Sequence, residues 1–420
     1  MEEIIKIEGK HKLKGKVKIN GAKNATVALI PALVLADEPV VLQGVPDISD
    51  VSVLAEILCH LGVEVTISGD EFRIDPSKME NKEVPQNLAS KLRASYYFMG
   101  SLLGKYKEVK MKMPGGCYLG PRPINLHIKG FELLGVKNND DYDGYHLYAA
   151  ELIGNKIYLD FASVGATINI ILAATKASGT TIIENAAKEP EIIDVCNLLN
   201  KMGAQIKGAG TDEITIVGVD YLHSCIHEII PDRIEAGTYL IIAAAAGEEV
   251  EIENVIPQHL DSLTSKLFEM GANLEILDDS IIVREATDLK GVDISTQVYP
   301  GFATDLQQPL TALLTQAQGV SKITDTIYPE RFKHTFELNK MGANLTNAAN
   351  TAIVEAPTPL KGSQVSATDL RCGAAMIVAG LIATGVTEID NVYHIDRGYA
   401  NIDENLANLG AKIWREQRED

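Results

Sequence analysis

Residues Met113 to Asn125 read MPGGCYLGPRPIN, a stretch that sets a thiol close to a guanidinium. Cys117 sits in a run of glycine and proline, with Arg122 five residues further on. Gly and Pro at this density break both helix and strand, so the run is expected to be a loop. A thiol becomes reactive when nearby cations lower its pKa. A guanidinium beside it would hold a carboxylate or phosphate through paired hydrogen bonds. The combination reads as chemistry on an anionic substrate; the alternative is an incidental loop thiol.

Such a loop must be held by regular elements, and the chain announces them by repetition. A short ending recurs as LGV or MGA, with its glycine at Gly62, Gly135, Gly203, Gly271, Gly342 and Gly410. The intervals are 73, 68, 68, 71 and 68 residues, so the chain is a sixfold internal repeat. Each repeat opens with a segment apolar nearly all round, such as NATVALIPALVLA, EAGTYLIIAAAAG or DLRCGAAMIVAGLIATG. A helix of that kind must be buried on every face. A short β-branched strand follows, then an amphipathic helix such as DVSVLAEILCHLG that closes on the repeated glycine, which suits a left-handed C-cap. A further strand or hairpin leads onward. Six units divide into three plus three, because roughly 200 residues is a normal domain size. An elongated solenoid is the alternative, although solenoid repeats usually span only ~20–45 residues. From strand start to repeated glycine, repeat two is about four residues longer than repeats one and three, and the extra length lies in the Cys117 loop. Local insertion into a repeat usually marks the functional face.

The residues that start the buried helices are polar. They are Lys23 and Asn24 in repeat one, Arg93 in repeat two, and Ser163, Val164 and Gly165 in repeat three. Repeats four to six place Asp232, Arg233 and Glu235, then Thr304 and Asp305, then Asp369 and Arg371. Helix N-termini carry free N–H groups and a positive dipole end, which makes them anion sites. Simple N-capping explains Ser, Thr and Asp equally well. It explains Lys and Arg poorly, because they oppose the dipole, so bound anions or facing carboxylates are expected beside them. Three more arginines, Arg122, Arg331 and Arg397, fall at equivalent strand-to-helix turns and suit a phosphorylated ligand.

Composition narrows the rest. The chain has 420 residues, 46% apolar and 23% charged, with a net charge of −19. That field repels phosphate backbones and argues against a nucleic-acid partner. No apolar run reaches the ~18 residues of a membrane span, and the charged N-terminus does not read as a signal peptide, so a cytoplasmic location is expected. Five cysteines without C-x-x-C spacing argue against disulfides and zinc; no metal or cofactor is called for. Cys59, Cys196 and Cys372 lie in helical patterns and are expected to be buried and inert. No role is assigned to Cys225, and the sequence leaves the oligomeric state open.

The motifs GAKNA, LRAS, PGGCYLGPRP, SVGATINI, ENAAKEPEI, PDRIEAGTY, FATDLQQP, YPERFKH, ATDLR and HIDRGY occur in this order along nearly the whole chain. Together they resemble the UDP-N-acetylglucosamine 1-carboxyvinyltransferases of the enolpyruvyl transferase family. The resemblance implies an α/β fold of two inside-out α/β barrel domains, each of three βαβαββ units. One domain would take residues 1–21 and 231–420, the other 22–230. It implies transfer of the enolpyruvyl group of phosphoenolpyruvate to the 3-hydroxyl of UDP-N-acetylglucosamine, with release of phosphate, through a tetrahedral ketal. This is the first committed step of bacterial peptidoglycan synthesis.

By match to the motifs, Cys117 would be the proton donor, the site of a phosphoenolpyruvate adduct and the target of fosfomycin, and Asp305 the base. Lys23, Arg122 and Arg397 would hold the phosphate and the intermediate, while Arg331 and Arg371 would meet the carboxylate side or support closure. The sugar nucleotide would meet Asn24, Arg93, Arg122, Pro123, Ile124, Asn125, Leu126, Ser163, Val164, Gly165, Asp305, Ile327 and Asp369. Two residues depart from the pattern: Asn125 stands where relatives commonly carry Asp, and Phe161 where some carry Lys. The rival readings are 5-enolpyruvylshikimate-3-phosphate synthase, a catalytically silent UDP-sugar-binding regulator, and a nucleic-acid-processing enzyme of related architecture. The PGGC and SVGAT patterns favour the UDP-sugar enzyme.

Overall fold

The computed structural model describes residues 2–112, 114–115, 124–139 and 142–418. Cys117, Arg122 and Pro123 therefore lie outside the described residues. The described chain divides into two compact units, one of residues up to 20 and from 231 onward, the other of residues between 21 and 230.

Both units use one construction. The buried helices of the first half of the chain are Lys23–Ala32, Tyr97–Tyr106 and Val164–Ala174; those of the second half are Arg233–Ala246, Thr304–Leu314 and Leu370–Ile382. In the last of these every residue from Arg371 to Ile382 is buried, which removes polar alternatives for the packing surface. Burying a Leu or Ile side chain contributes about 1.5–3 kcal/mol, so these apolar segments dominate the stability of each core. Gly100 lets two such helices approach closely: a Cβ there would stand 2.4 Å from the carbonyl oxygen of Asn169. The amphipathic helices end on the repeated glycines, and all six have φ between 87° and 106°, where a side chain would be strained.

Five sheets of four strands and one of three cover these helices among the described residues. In repeat four, Leu13–Lys18 runs parallel to Gly247–Glu253, which pairs antiparallel with Ser280–Arg284, itself closing a hairpin with Asn273–Ile276. Repeat five repeats the pattern with Ile294–Ser295, Gly319–Thr324, Thr351–Ala356 and Leu345–Ala348. In repeat six, Glu2–Glu8 supplies the third strand, between Val386–Asp390 and Lys412–Arg418, so the chain's first strand completes its last sheet. In the other unit, Cys225–Glu228 returns to lie parallel to Val40–Gln43 of repeat one. The three sheets of each unit remain separate among the described residues, so the strands do not join into one closed barrel.

Candidate functional site

In the unit from residue 231 onward, the helix starts are joined by one charged network. Asp305, second residue of its helix, accepts from Arg331 Nη1 at 2.7 Å through Oδ1 and from Arg371 Nη2 at 3.0 Å through Oδ2. Both guanidiniums are almost fully buried, while the Asp305 side chain keeps 23% of its surface exposed. Asp305 thus presents a partly open carboxylate held from behind by two arginines. Arg371 Nη1 donates to Tyr399 Oη at 2.9 Å, and Tyr399 Oη bonds Thr238 Oγ1 at 2.9 Å. Burial alone would lower the Arg371 pKa, but Tyr399, Asp305 and Asp232 more than offset it and the pKa is raised. Arg371 is accordingly a fixed charge. It belongs to the first turn of its helix and is matched there by a facing carboxylate, which answers its opposition to the dipole.

Asp369 and Asp232 are N-caps. Asp369 Oδ1 accepts from the amides of Arg371 and Cys372 at 2.9 and 3.0 Å, and Asp232 Oδ1 accepts from Ile234 and Glu235 at 2.8 and 3.0 Å. Each satisfies amides that the helix leaves unpaired. Glu235, third residue of its helix, is buried, and Asn20 donates to both its oxygens at 2.9 Å. Burial and the neighbouring Asp232 charge push its carboxyl up to about 8. Arg397 is half-buried in the turn before helix Ile402–Asn408; its charge, after burial, helps to lower the pKa of His394. Ile327 is half-buried in the loop that leads to Arg331.

The other unit carries smaller, mostly neutral groups. Lys23 Nζ lies 3.1 Å from Asp50 Oδ2, and Asp50 is buried in the first turn of helix Ser49–His60. Again a basic residue at a helix start is met by a carboxylate. Asn24, beside it, is half-buried. Ser163 caps helix Val164–Ala174 by accepting from the Ala166 amide at 3.3 Å. Gly165 leaves no room for a side chain: a Cβ would stand 2.7 Å from Tyr96 Oη and 2.9 Å from His127 Cε1. Asn169 Oδ1 accepts from the Gly100 amide at 2.9 Å, which turns its NH2 toward His127 Nδ1 at 2.8 Å. That assignment makes Nδ1 an acceptor and puts the imidazole proton on Nε2. Burial, aided by Arg93, lowers the His127 pKa to about 3, so the ring is neutral. The Arg93 guanidinium lies 5.8 Å from the Tyr96 ring centre. Ile124 is buried, Leu126 half-buried and Asn125 exposed at the start of helix Asn125–Leu133. Phe161 is exposed.

Within one unit the structure thus brings together Asp305, Arg331 and Arg371, with Asp369 at the start of the same helix as Arg371. Within the other it brings together Arg93 and Gly165 around Tyr96 and His127. Sequence reasoning missed Asp50, Tyr96, His127, Asn169 and Tyr399. Tyr399 and Asn169 stand inside the HIDRGY and SVGATINI motifs, so a signal was present for those two. One expectation is corrected: Cys59 is exposed, whereas Cys196 and Cys372 are buried. Burial raises both buried thiols to about 12, which leaves them inert. No group of three or more His, Cys, Asp or Glu among the described residues could hold a metal ion. No helix among them is long and apolar enough to cross a membrane.

The sequence profile of the family described as EPSP synthase (3-phosphoshikimate 1-carboxyvinyltransferase) matches residues 7–406. The chain belongs to that family. Among this enolpyruvyl transferase family it is similar to the UDP-N-acetylglucosamine 1-carboxyvinyltransferase 2 of Geobacillus kaustophilus, with 56% identity covering 99% of this chain and 97% of that one. Identity is also 56% to the enzyme of the same name from Listeria monocytogenes, over 99% of this chain and 98% of that one. Among solved structures, the enolpyruvyl transferase NikO from Streptomyces tendae matches with a TM-score of 0.91 and 26% identity over 99% of both chains. An EPSP synthase from Acinetobacter baumannii shares the fold, with a TM-score of 0.77 at 19% identity over 99% of this chain and 100% of that one. The two-unit, six-repeat architecture is therefore the enolpyruvyl transferase fold.

Proposed function

We infer that this chain transfers the enolpyruvyl group of phosphoenolpyruvate to the 3-hydroxyl of UDP-N-acetylglucosamine and releases phosphate. The observation that carries this reading is 56% identity along 99% of the chain to enzymes named for that reaction. The clamped Asp305 supports it chemically. Its carboxylate oxygens retain lone pairs and partial exposure, and its orientation is set by Arg331 and Arg371 rather than left to solvent. In the addition step Asp305 takes the sugar hydroxyl proton, the sugar oxygen bonds to C2 of phosphoenolpyruvate, and Cys117 delivers a proton to the C3 methylene. In the elimination step a methyl proton leaves and the C2–O bond to phosphate breaks, which restores the enol ether. The charge that develops on the phosphate and the carboxylate calls for fixed cations, and we assign Lys23, Arg122, Arg331, Arg371 and Arg397 to that role.

Asn24, Arg93, Pro123, Ile124, Asn125, Leu126, Ser163, Val164, Gly165, Ile327 and Asp369 are assigned to the sugar nucleotide. For Ser163 and Asp369 the assignment falls to backbone amides and remaining lone pairs, since their oxygens already cap helices. Asn125 keeps an acceptor there without the charge. The reading carries with it a place in peptidoglycan synthesis in the cytoplasm. Phosphate release measured with each of two acceptors tests it. Release is expected with UDP-N-acetylglucosamine; release only with shikimate 3-phosphate would replace this reading with the EPSP synthase one.

A further inference from the structure

Four repeats end their second parallel strand in the same way. Gly44, Asn185, Asn254 and Asn391 follow that strand with φ of 74°, 54°, 59° and 56°. Asn185 and Asn254 each donate a side-chain N–H, at 2.7 Å, to the carbonyl of the residue that follows the adjacent parallel strand, Leu159 and Ile19 respectively. The backbone fixes this equivalence, because Leu159 and Ile19 donate their amides back to Glu184 and Glu253 just as Thr296 does to Thr324. Repeat five departs. The corresponding residue is Asp325, which is fully buried and can only accept.

The hydrogen bonds at this point are reversed in direction. Thr296 Oγ1 donates to Asp325 Oδ1 at 2.9 Å, and the amides of Ile327 and Tyr328 donate to the same oxygen at 3.0 and 2.8 Å. Thr304 Oγ1, at the first residue of the inner helix, donates to Oδ2 at 2.7 Å. The same Thr304 hydroxyl accepts from Arg331 Nη1 at 3.0 Å, and that nitrogen also donates to Asp305. An asparagine would reverse the Thr304 bond, because its amide nitrogen must donate where Asp325 Oδ2 now accepts.

We propose that Asp325 is a positioning residue for the transfer reaction. It ties the start of the Asp305 helix to the loop carrying Ile327 and Arg331, and so sets where the base and its arginine stand. The inference rests on the reading of Asp305, Ile327 and Arg331 as substrate contacts. Steady-state phosphate release with UDP-N-acetylglucosamine and phosphoenolpyruvate, together with thermal unfolding, tests it in three single variants and one double variant. Thr304→Val and Asp325→Asn are each expected to lower kcat/KM about tenfold or more, with losses that do not add in the double variant because both break one relay. Thr304→Ser, which keeps the hydroxyl, is expected to restore most of it. A merely structural role would lower the unfolding temperature alike in Thr304→Val and Asp325→Asn, yet leave kcat and KM of the folded enzyme unchanged. That result overturns the inference, and Thr304→Val decides if Asp325→Asn does not fold. No turnover in the wild-type chain would instead remove the functional reading, and this inference with it.

Discussion

The two units share one scaffold and differ in how their helix starts are wired. From residue 231 onward, charges from repeats five and six meet on one carboxylate, Asp305, and two buried arginines leave it little freedom. Between residues 21 and 230, Lys23 pairs locally with Asp50 at one helix start, while Tyr96, His127, Asn169 and Gly165 form an uncharged cluster beside Arg93. The lesson is that a repeated fold fixes where functional groups can stand, while the pairing of charges decides which of them are rigid. On the proposed function, the network around Asp305 would hold the base in register, and the uncharged cluster would present a close, shaped surface to an uncharged part of the substrate.

Asp305→Ala should produce the largest effect. It removes the proposed base, for which a loss of about 10²–10⁴ in turnover is ordinary. It also leaves two buried guanidiniums without their shared partner, at a cost of about 3–5 kcal/mol in chemical denaturation. Asp50→Ala should destabilise less, because Lys23 is less deeply buried and its flexible stem can carry the amine toward water. Equal losses in the two variants would break the comparison between the units.

Gly165→Ala should follow, with a cost of about 1–3 kcal/mol from overpacking against Tyr96 and His127. The KM for UDP-N-acetylglucosamine should rise with it. Full stability and unchanged KM would mean that the cluster yields easily and shapes nothing.

The acid limb of stability bears on both units, since each buries a histidine whose pKa burial lowers. Burial lowers both His127 and His334 to about 3, with Arg93 adding to the effect at the first and Arg331 opposing Asp369 at the second. The unfolded chain takes up these protons near pH 6.5 and the folded chain does not. Stability should therefore fall as pH drops from about 6.5 toward 3, by up to ~1.4 kcal/mol per pH unit for each histidine. His334→Phe should flatten that limb by about one proton, read as the pH dependence of the urea midpoint. An unaltered slope would show that His334 is protonated in the folded state.

Cys59→Ser should have the smallest effect. Cys59 should label with a thiol reagent in the native enzyme while Cys196 and Cys372 stay protected, and the substitution should leave turnover unchanged.

Much of the fold was legible because its signals are local and repeated. Helices apolar on all faces could only be buried, and glycines at near-equal intervals could only mark a recurrent turn. The exposure of Cys59 was misread although its signal is local: Val51, Leu54, Ile57 and Leu58 define the inward stripe of its helix, and Cys59 falls off it. The residue types at the helix starts announced a charged site, and Asp305 and Arg371 were visible as candidates. Their convergence was not, because the pairs span 26 residues to Arg331 and 66 to Arg371. Tyr399, Asp50 and Asp325 escaped for the same reason. Asp50 and Asp325 meet partners 27 and 21–29 residues away within their own repeats, and Tyr399 meets Thr238 161 residues away in another, so no short motif pairs them.

Product analysis reads carboxyvinyl transfer to the sugar 3-hydroxyl without an intermediary assay. The chain is incubated with phosphoenolpyruvate, UDP-N-acetylglucosamine and shikimate 3-phosphate together, and the products are identified by NMR alongside released phosphate. An enolpyruvyl ether is expected at the 3-oxygen of UDP-N-acetylglucosamine, formed in equal amount to phosphate. An ether on shikimate 3-phosphate, with UDP-N-acetylglucosamine untouched, would contradict the proposed function.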